Sequence, residues 1–261
     1  MDALLEATAR AEARHFWFVG FRDFVGPLIE EARAGRAGLR VLDCGCGTGA
    51  NLSLLGQPGM AFGFDLSLRG LSFARASGHT RVARATVEAI PFPDASFDLA
   101  ASFDVIYALS EQAEVAALAE MHRVLRPGGA LLVNVAAMPI LRGGHSVLSA
   151  ELRRYTPRRL RSVVEGAGFA IERLTYTNAS LFPLMLAIRL AQRLAGLATP
   201  EHAHAEITTP PGPVNAALAR ILKLEARALR RVNMPFGSSL LCLGRKKPAV
   251  SGPPARVEAG R

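Results

Sequence analysis

The sequence predicts an α/β fold built on a mostly parallel sheet. Three observations carry this. Strand-like and helix-like segments alternate five times between Leu39 and Val135, the order that stacks parallel strands with crossover helices. The first strand-like run empties into a glycine-rich turn, Gly45 to Gly49, that opens a helix. The composition, 50% apolar and 20% charged over 261 residues, supplies one large core and carries no signature of disorder across the bulk.

Residues 2–35 read as helical. Leu4, Leu5, Ala9 and Ala13 recur near helical spacing, and the aromatic cluster His15-Phe16-Trp17-Phe18, with Phe21 and Phe24, follows before Gly35 and Gly38 close the segment. Leu39–Asp43 has the pattern of a short buried strand. After the glycine turn, Asn51–Leu55 reads as a helix stopped by Gly56, Pro58 and Gly59. Met60–Asp65 is a second strand, Leu68–Ala76 a helix, Thr80–Ala85 a third strand and Phe97–Phe103 a fourth. Glu111–Leu125 is a well-patterned helix ended by Pro127-Gly128-Gly129, and Ala130–Val135 is a fifth strand. Right-handed crossovers then place helices on both faces of the sheet. A helix from Pro157 to Glu165 leads to a sixth strand, Phe169–Tyr176, and Ser238–Gly244 is a seventh. The intervening residues 177–236 are mostly helical, and the Pro/Gly-rich tail 248–261 is expected to be disordered.

Charge is unevenly placed. Residues 1–150 carry 13 basic and 15 acidic groups, whereas residues 151–261 carry 18 basic and 7 acidic ones. That field attracts phosphates, nucleic acid or an anionic membrane face, although an arginine-rich composition alone produces the same count. The longest apolar run, Leu181 to Ile188, is far shorter than the ~20 residues of a membrane span. Met1 to Arg14 lacks the apolar stretch of a secretory signal. Three cysteines make no disulfide framework. A cytoplasmic, enzyme-sized domain is the expectation that remains.

The stretch Val41-Leu42-Asp43-Cys44-Gly45-Cys46-Gly47-Thr48-Gly49 is the most informative. Glycines there remove side chains so that a ligand can approach the backbone. A dinucleotide fold wants Gly-x-Gly-x-x-Gly, whereas the spacing here is Gly45-x-Gly47-x-Gly49. Asp43, two positions before the first glycine, would oppose a pyrophosphate and suits a cationic group. Cys44 and Cys46 lie in the tight turn without a second ligand pair nearby, so no metal site is read there.

This stretch resembles motif I of the class I S-adenosylmethionine-dependent methyltransferases. Three more pieces fall in matching order: Phe62-Gly63-Phe64-Asp65-Leu66-Ser67, the segment Ala85-Thr86-Val87-Glu88 through Phe97-Asp98, and Glu120-Met121-His122-Arg123-Val124-Leu125-Arg126-Pro127-Gly128-Gly129. The resemblance is strong over residues 41–135 and loose from Glu12 to Lys247. It implies a Rossmann-like, seven-stranded, mostly parallel sheet over residues 39–176 and 237–247. A helical cap over 1–38 and the helical insertion 177–236 complete one domain, 1–247. It also implies S-adenosylmethionine as cofactor, S-adenosylhomocysteine as product, and no metal. Asp43, Gly45 and Gly47 would hold the amino-acid part of the cofactor, and Asp65, with Leu66 beside it, the ribose hydroxyls. Thr86 stands where an acid usually accepts from the adenine amino group, so the backbone at Val87 is an alternative. Phe103 ends the fourth strand, the edge that faces the methyl group in this family.

The acceptor end is less defined. Relatives often have Glu-His after the Asp104-Val105 pair; here Tyr107 and Ala108 stand there. The base candidates are then His15, His145 and Tyr107. Trp17, in the aromatic cluster, either faces the sulfonium and acceptor or simply packs on the sheet. Arg153, Arg154 and Tyr155 would bind an anionic or phenolic substrate, or else Tyr155-Thr156-Pro157 only begins a helix capped by Thr156. Within the insertion, Leu184–Leu197 is an apolar helix with Arg189 and Arg193 on one side. In Val214–Val232, Arg220, Lys223, Arg227, Arg230 and Arg231 share one face. Leu218, Ile221, Leu222, Leu229 and Val232 lie opposite, interrupted by Glu225. The insertion is read as a lid over the acceptor pocket, with a dimer contact or an anionic membrane surface as alternatives. The chain is expected to act as a monomer or homodimer on an oxygen or nitrogen of a small organic acceptor. A cofactor-binding but inactive scaffold is the alternative, and an RNA methyltransferase is disfavoured because no RNA-binding module is recognisable.

Overall fold

The computed structural model describes residues 2–57, 59–143, 146, 149–194 and 208–247. Seven strands form one sheet: β1 Leu39–Cys44, β2 Gly59–Asp65, β3 Val82–Arg84, β4 Phe97–Phe103, β5 Leu125–Ala136, β6 Phe169–Thr177 and β7 Ser239–Lys246. Their order is β3-β2-β1-β4-β5-β7-β6. Strands β1 to β5 are parallel, and β7 runs antiparallel between β5 and β6. The eight helices of the described residues are α1 Asp2–Ala11, α2 Phe16–Arg33, α3 Leu52–Leu55, α4 Leu68–Ala76, α5 Glu111–Val124, α6 Pro157–Gly166, α7 Phe182–Leu194 and α8 Gly212–Leu229. None of them is long and apolar enough to cross a membrane.

Both faces of the sheet are buried, so its strands read as near-continuous apolar runs. Leu42, Leu131, Val133 and Val135 point to one side, where Leu118, Met121 and Val124 of α5 and Leu160 and Val164 of α6 meet them. Val41, Leu99 and Leu132 point to the other, against Phe24, Leu28 and Ile29 of α2 and Leu222, Ala226 and Leu229 of α8. Local chemistry sets the helix starts. Ser67 and Ser110 accept from the backbone N–H groups of Gly70 and Ala113, and Thr156 accepts from that of Arg159 with Pro157 next in line.

Several boundaries differ from the sequence expectation. The N-terminal region is two helices rather than one, broken over residues 12–15, where the His15 imidazole accepts from the Trp17 N–H and caps α2. Strand β5 begins at Leu125, through the Pro127-Gly128-Gly129 segment expected to precede it. It can do so because Leu125 pairs with Phe97 and the register then shifts, leaving Pro127 where no ladder N–H is required. The tail 248–261 and the end of the helix expected to reach Leu197 lie outside the described residues.

Helix α8 stops at Leu229, short of the expected Val232, so Arg220, Lys223 and Arg227 lie on it and Arg230 and Arg231 just beyond it; all five are exposed, and Leu222 and Leu229 are buried as the projection requires. Ile221 and Val232 are exposed, correcting their assignment to the inner face. Glu225 takes that place because its carboxylate accepts from the N–H groups of Ala179 and Ser180 at 2.8 Å and from the Ser180 hydroxyl at 2.5 Å. A buried carboxylate on an apolar stripe thus ties α8 to the chain entering α7.

Candidate active site

The strand order reverses between β1 and β4, and a crevice opens at the carboxyl ends of these strands. A cavity of about 880 Å³ occupies it, roofed by α1, α2 and α7. The glycine turn forms its floor. Gly45 has φ +85°, and a Cβ built there would lie 2.5 Å from Cγ2 of Val105, so the turn can pass under the β4 loop only without a side chain. Asp65 ends β2 and pins the same turn: one carboxylate oxygen accepts from the Gly47 N–H and the other from the Ser67 N–H, both at 2.8 Å. Its remaining lone pairs face the cavity, where Leu66, Thr86, Val87 and Phe103 also stand.

Asp43 lies behind this wall rather than in it, only 2% exposed. Burial, with Asp65 as a further negative neighbour, pushes its carboxyl up to about 7. The thiols of Cys44 and Cys46 are raised by the same burial and stay protonated.

The N-terminal helices close over the turn. Glu12 accepts from the Thr48 hydroxyl at 2.6 Å, the Arg22 guanidinium donates to the Glu12 carbonyl at 2.8 Å, and Arg69 of α4 pairs with Glu6 of α1 at 2.9 Å. His15, Phe16, Trp17 and Phe18 all line the cavity, with His15 stacked on Phe16 at 4.6 Å. The His15 ring is thereby occupied as a cap and stacking partner.

Past the end of β4, beside the glycine turn, the cavity wall holds Asp104 and Tyr107, and Glu151 and Arg154 line it too. Asp104 is held at φ +59°, an uncommon backbone state for a residue with a Cβ. Its N–H donates to the Asn134 carbonyl at 3.0 Å, and the Asn134 amide donates to its carboxylate at 2.9 Å. The side chain is open to the cavity yet deep in the molecule, and desolvation pushes its carboxyl up to about 7, with Glu151 adding to the rise and Asn134 and Arg154 opposing it. Burial raises the Tyr107 phenol too, with Asp104 the next contributor. Arg154 is bound to Glu151 at 2.8 Å and to the Ala137 carbonyl at 2.8 Å, which fixes it in the wall.

Of the residues singled out in the sequence, Gly45, Gly47, Asp65, Leu66, Thr86, Val87, Phe103, His15, Trp17, Tyr107 and Arg154 meet at this one cavity. Arg153 and Tyr155 do not. The fully buried Tyr155 donates its hydroxyl to Glu114, Arg153 stands 3.6 Å from the same carboxylate, and Arg159 donates to it at 2.7 Å. These groups serve a buried ionic cluster between α5 and α6, which corrects their reading as substrate ligands. His145 lies outside the described residues. Asp104, Glu151 and Glu88, which the sequence reading gave no role in the site, also line the cavity, Glu88 two positions beyond Thr86.

The cavity therefore offers a glycine-lined backbone surface, the strand-end carboxylate of Asp65, and the carboxyls of Glu12 and Asp104, both raised chiefly by burial. A ligand carrying an ammonium and a sulfonium fits this donor set. A family model described as "Methyltransferase domain" matches residues 42–133. Over 140 residues the chain is 31% identical to a probable S-adenosylmethionine-dependent methyltransferase of Mycolicibacterium smegmatis, covering 52% of this chain and 54% of that protein. Over 188 residues it is 32% identical to the ubiquinone/menaquinone biosynthesis C-methyltransferase UbiE of Shewanella pealeana, covering 58% of this chain and 72% of that one. The first curated relatives are spanned over only 44%, 54% and 36% of their lengths. The Haloferax volcanii chain solved in complex with the Trm112 methyltransferase activator shares the fold, with a TM-score of 0.59 at 20% identity over 94% of this chain and 95% of that one.

Proposed function

This chain belongs to the class I S-adenosylmethionine-dependent methyltransferases, and from that premise we propose that it methylates an oxygen or nitrogen of a small, largely apolar acceptor. The observation that carries the reading is the meeting, in one cavity, of the glycine turn pinned by Asp65 and the carboxylate of Asp104.

Gly45, Gly47 and Asp65 would hold the cofactor, with Asp43 supplying negative charge from behind the turn. Val87 and Glu88 are the groups available to the adenine. The cofactor supplies an electrophilic methyl group on a sulfonium. The chain's own residues do the rest. The rings of Phe16, Trp17, Phe18 and Phe21 exclude water from the cavity and orient an apolar acceptor. Asp104 receives the proton that the acceptor's O–H or N–H gives up, and Asn134 holds its carboxylate in place. Acidic lining residues (Glu12, Asp65, Glu88, Asp104, Glu151) outnumber the basic ones (Arg22, Arg154, Arg189), which disfavours an anionic acceptor.

The identity to UbiE favours a second reading, methylation at carbon. Asp104 serves that reading equally, because a carbon acid also gives up a proton. Calorimetry with S-adenosylhomocysteine tests the cofactor site. Micromolar binding, about −8 kcal/mol, weakened tenfold or more by Asp65→Ala, is the expected result; no binding to the wild type would remove the reading.

A further inference from the structure

Helix α7 is built inside out. The charged side chain described on it, Arg189, is buried at 8% exposure, its guanidinium packed on Gly143 and donating to Gln192 at 2.8 Å. Every described side chain that α7 exposes is apolar, including Leu184, Ile188, Leu190 and Leu194, the last 91% exposed. A surface helix in contact with water alone carries the reverse pattern. The exposed face is also continuous with the cavity: Leu184 and Ile188 belong both to it and to the cavity wall.

Charge points to the partner. In the described part of the insertion, residues 177–194 and 208–236, the exposed charged residues are all cations: Arg220, Lys223, Arg227, Arg230 and Arg231. Its acid, Glu225, is buried. Leu218 of the same cationic helix lines the cavity as Leu184 does, and Glu225 of α8 binds the Ala179 and Ser180 N–H groups just before α7, so α8 reaches the cavity and the start of α7. An apolar helix face accompanied, among the described residues of the insertion, by exposed cations and no exposed acid matches the boundary of an anionic bilayer, where apolar side chains enter the acyl region and arginines meet headgroups.

We infer that the exposed face of α7 docks on an anionic lipid bilayer and that Leu184 and Ile188 form the passage by which an apolar acceptor leaves the bilayer for the cavity. The docking stands on α7 and α8 themselves; the passage of an acceptor rests on the methyl-transfer reading. The contact is peripheral, with the sheet and the cofactor end remaining in water.

The test is co-sedimentation of the full chain with vesicles of phosphatidylcholine alone and of phosphatidylcholine mixed with phosphatidylglycerol, at low and high salt. The wild type should pellet with the anionic vesicles, less so at high salt. The double variant Leu190→Glu/Leu194→Glu should lose at least tenfold in partitioning. In a second measurement, Leu194→Trp should give a fluorescence blue shift on adding anionic vesicles, beyond any change from Trp17 in the wild type. Wild type that stays in the supernatant, or a double variant that pellets undiminished, overturns the inference. So does light scattering that shows a wild-type dimer split by the same double variant, because a second copy would then own the face. Calorimetry with S-adenosylhomocysteine on the same samples separates the two readings. Vesicle binding without nucleoside binding removes the proposed function and leaves the docking; nucleoside binding without vesicle binding does the opposite.

Discussion

Asp43 sets a pH dependence that Asp43→Asn should abolish. Its carboxyl moves from an ordinary 3.8 to about 7 on folding, chiefly through burial. A shift of about three units corresponds to roughly 4 kcal/mol at 1.36 kcal/mol per unit, as an upper figure. Because the folded value is raised, this stability is fully present below the unfolded value and is lost as pH rises through the folded one. Roughly 2.5 kcal/mol of the loss falls between about pH 5 and about pH 8. For a chain of this size that is about 5–10 °C in Tm. Asp104 and Glu12 are raised as well and add slopes of the same sign, so the difference between wild type and Asp43→Asn is the quantity to read. Thermal unfolding at the two pH values should show the variant losing less than the wild type. In calorimetry, S-adenosylhomocysteine should bind the wild type more tightly as pH rises toward 7, because its ammonium favours ionised Asp43, and the variant should lack that trend. Equal pH slopes in the two proteins, for both stability and binding, would refute the assignment.

Asp104→Asn keeps the shape of the side chain but removes the proton acceptor. Once an acceptor is found it should lower kcat by about 10²-fold or more while leaving the S-adenosylhomocysteine Kd nearly unchanged; an unaltered kcat would show that no base is needed there. Gly20→Val tests the junction of α2 with α8, where a Cβ at Gly20 would lie 2.4 Å from Cδ1 of Leu222. A loss of about 1–3 kcal/mol in urea unfolding is expected, and an unchanged midpoint would contradict that packing.

The cofactor end of the cavity was legible in the sequence because it is nearly contiguous. A strand, a glycine turn and a helix each announce themselves locally, and Gly45, Gly47 and Asp65 follow from position within those elements. Asp104 stood in plain view after the fourth strand, but its distinguishing mark is a left-handed backbone held by Asn134, thirty residues away. Arg153 and Tyr155 looked like substrate ligands because Glu114, their actual partner, lies about forty residues upstream. Helix α7 fails for another reason. Periodicity finds the polar side of a helix without saying whether it faces water, and a helix apolar around most of its circumference gives that rule little to hold. The sequence places Arg189 on one side of the helix without saying which way that side faces, and it faces the interior.

The glycine turn and the segment after β4 are in direct contact. Val105, directly after Asp104, fills the space that a side chain at Gly45 would need. The turn that would carry the cofactor and the segment that would carry the proposed proton acceptor are thus fixed to each other through the adjacent strands β1 and β4. Effective methyl transfer depends on holding donor and acceptor at near-attack distance, and such a rigid junction provides it without a moving part. The acceptor walls contributed by α2 and α7 lie outside that junction, on elements remote in sequence. Substitutions along Leu184, Met185 and Ile188 should therefore change which acceptor is taken while leaving the spacing of Gly45 and Asp104 intact. Any substitution that enlarges Gly45 would disturb the turn and the Asp104 segment together.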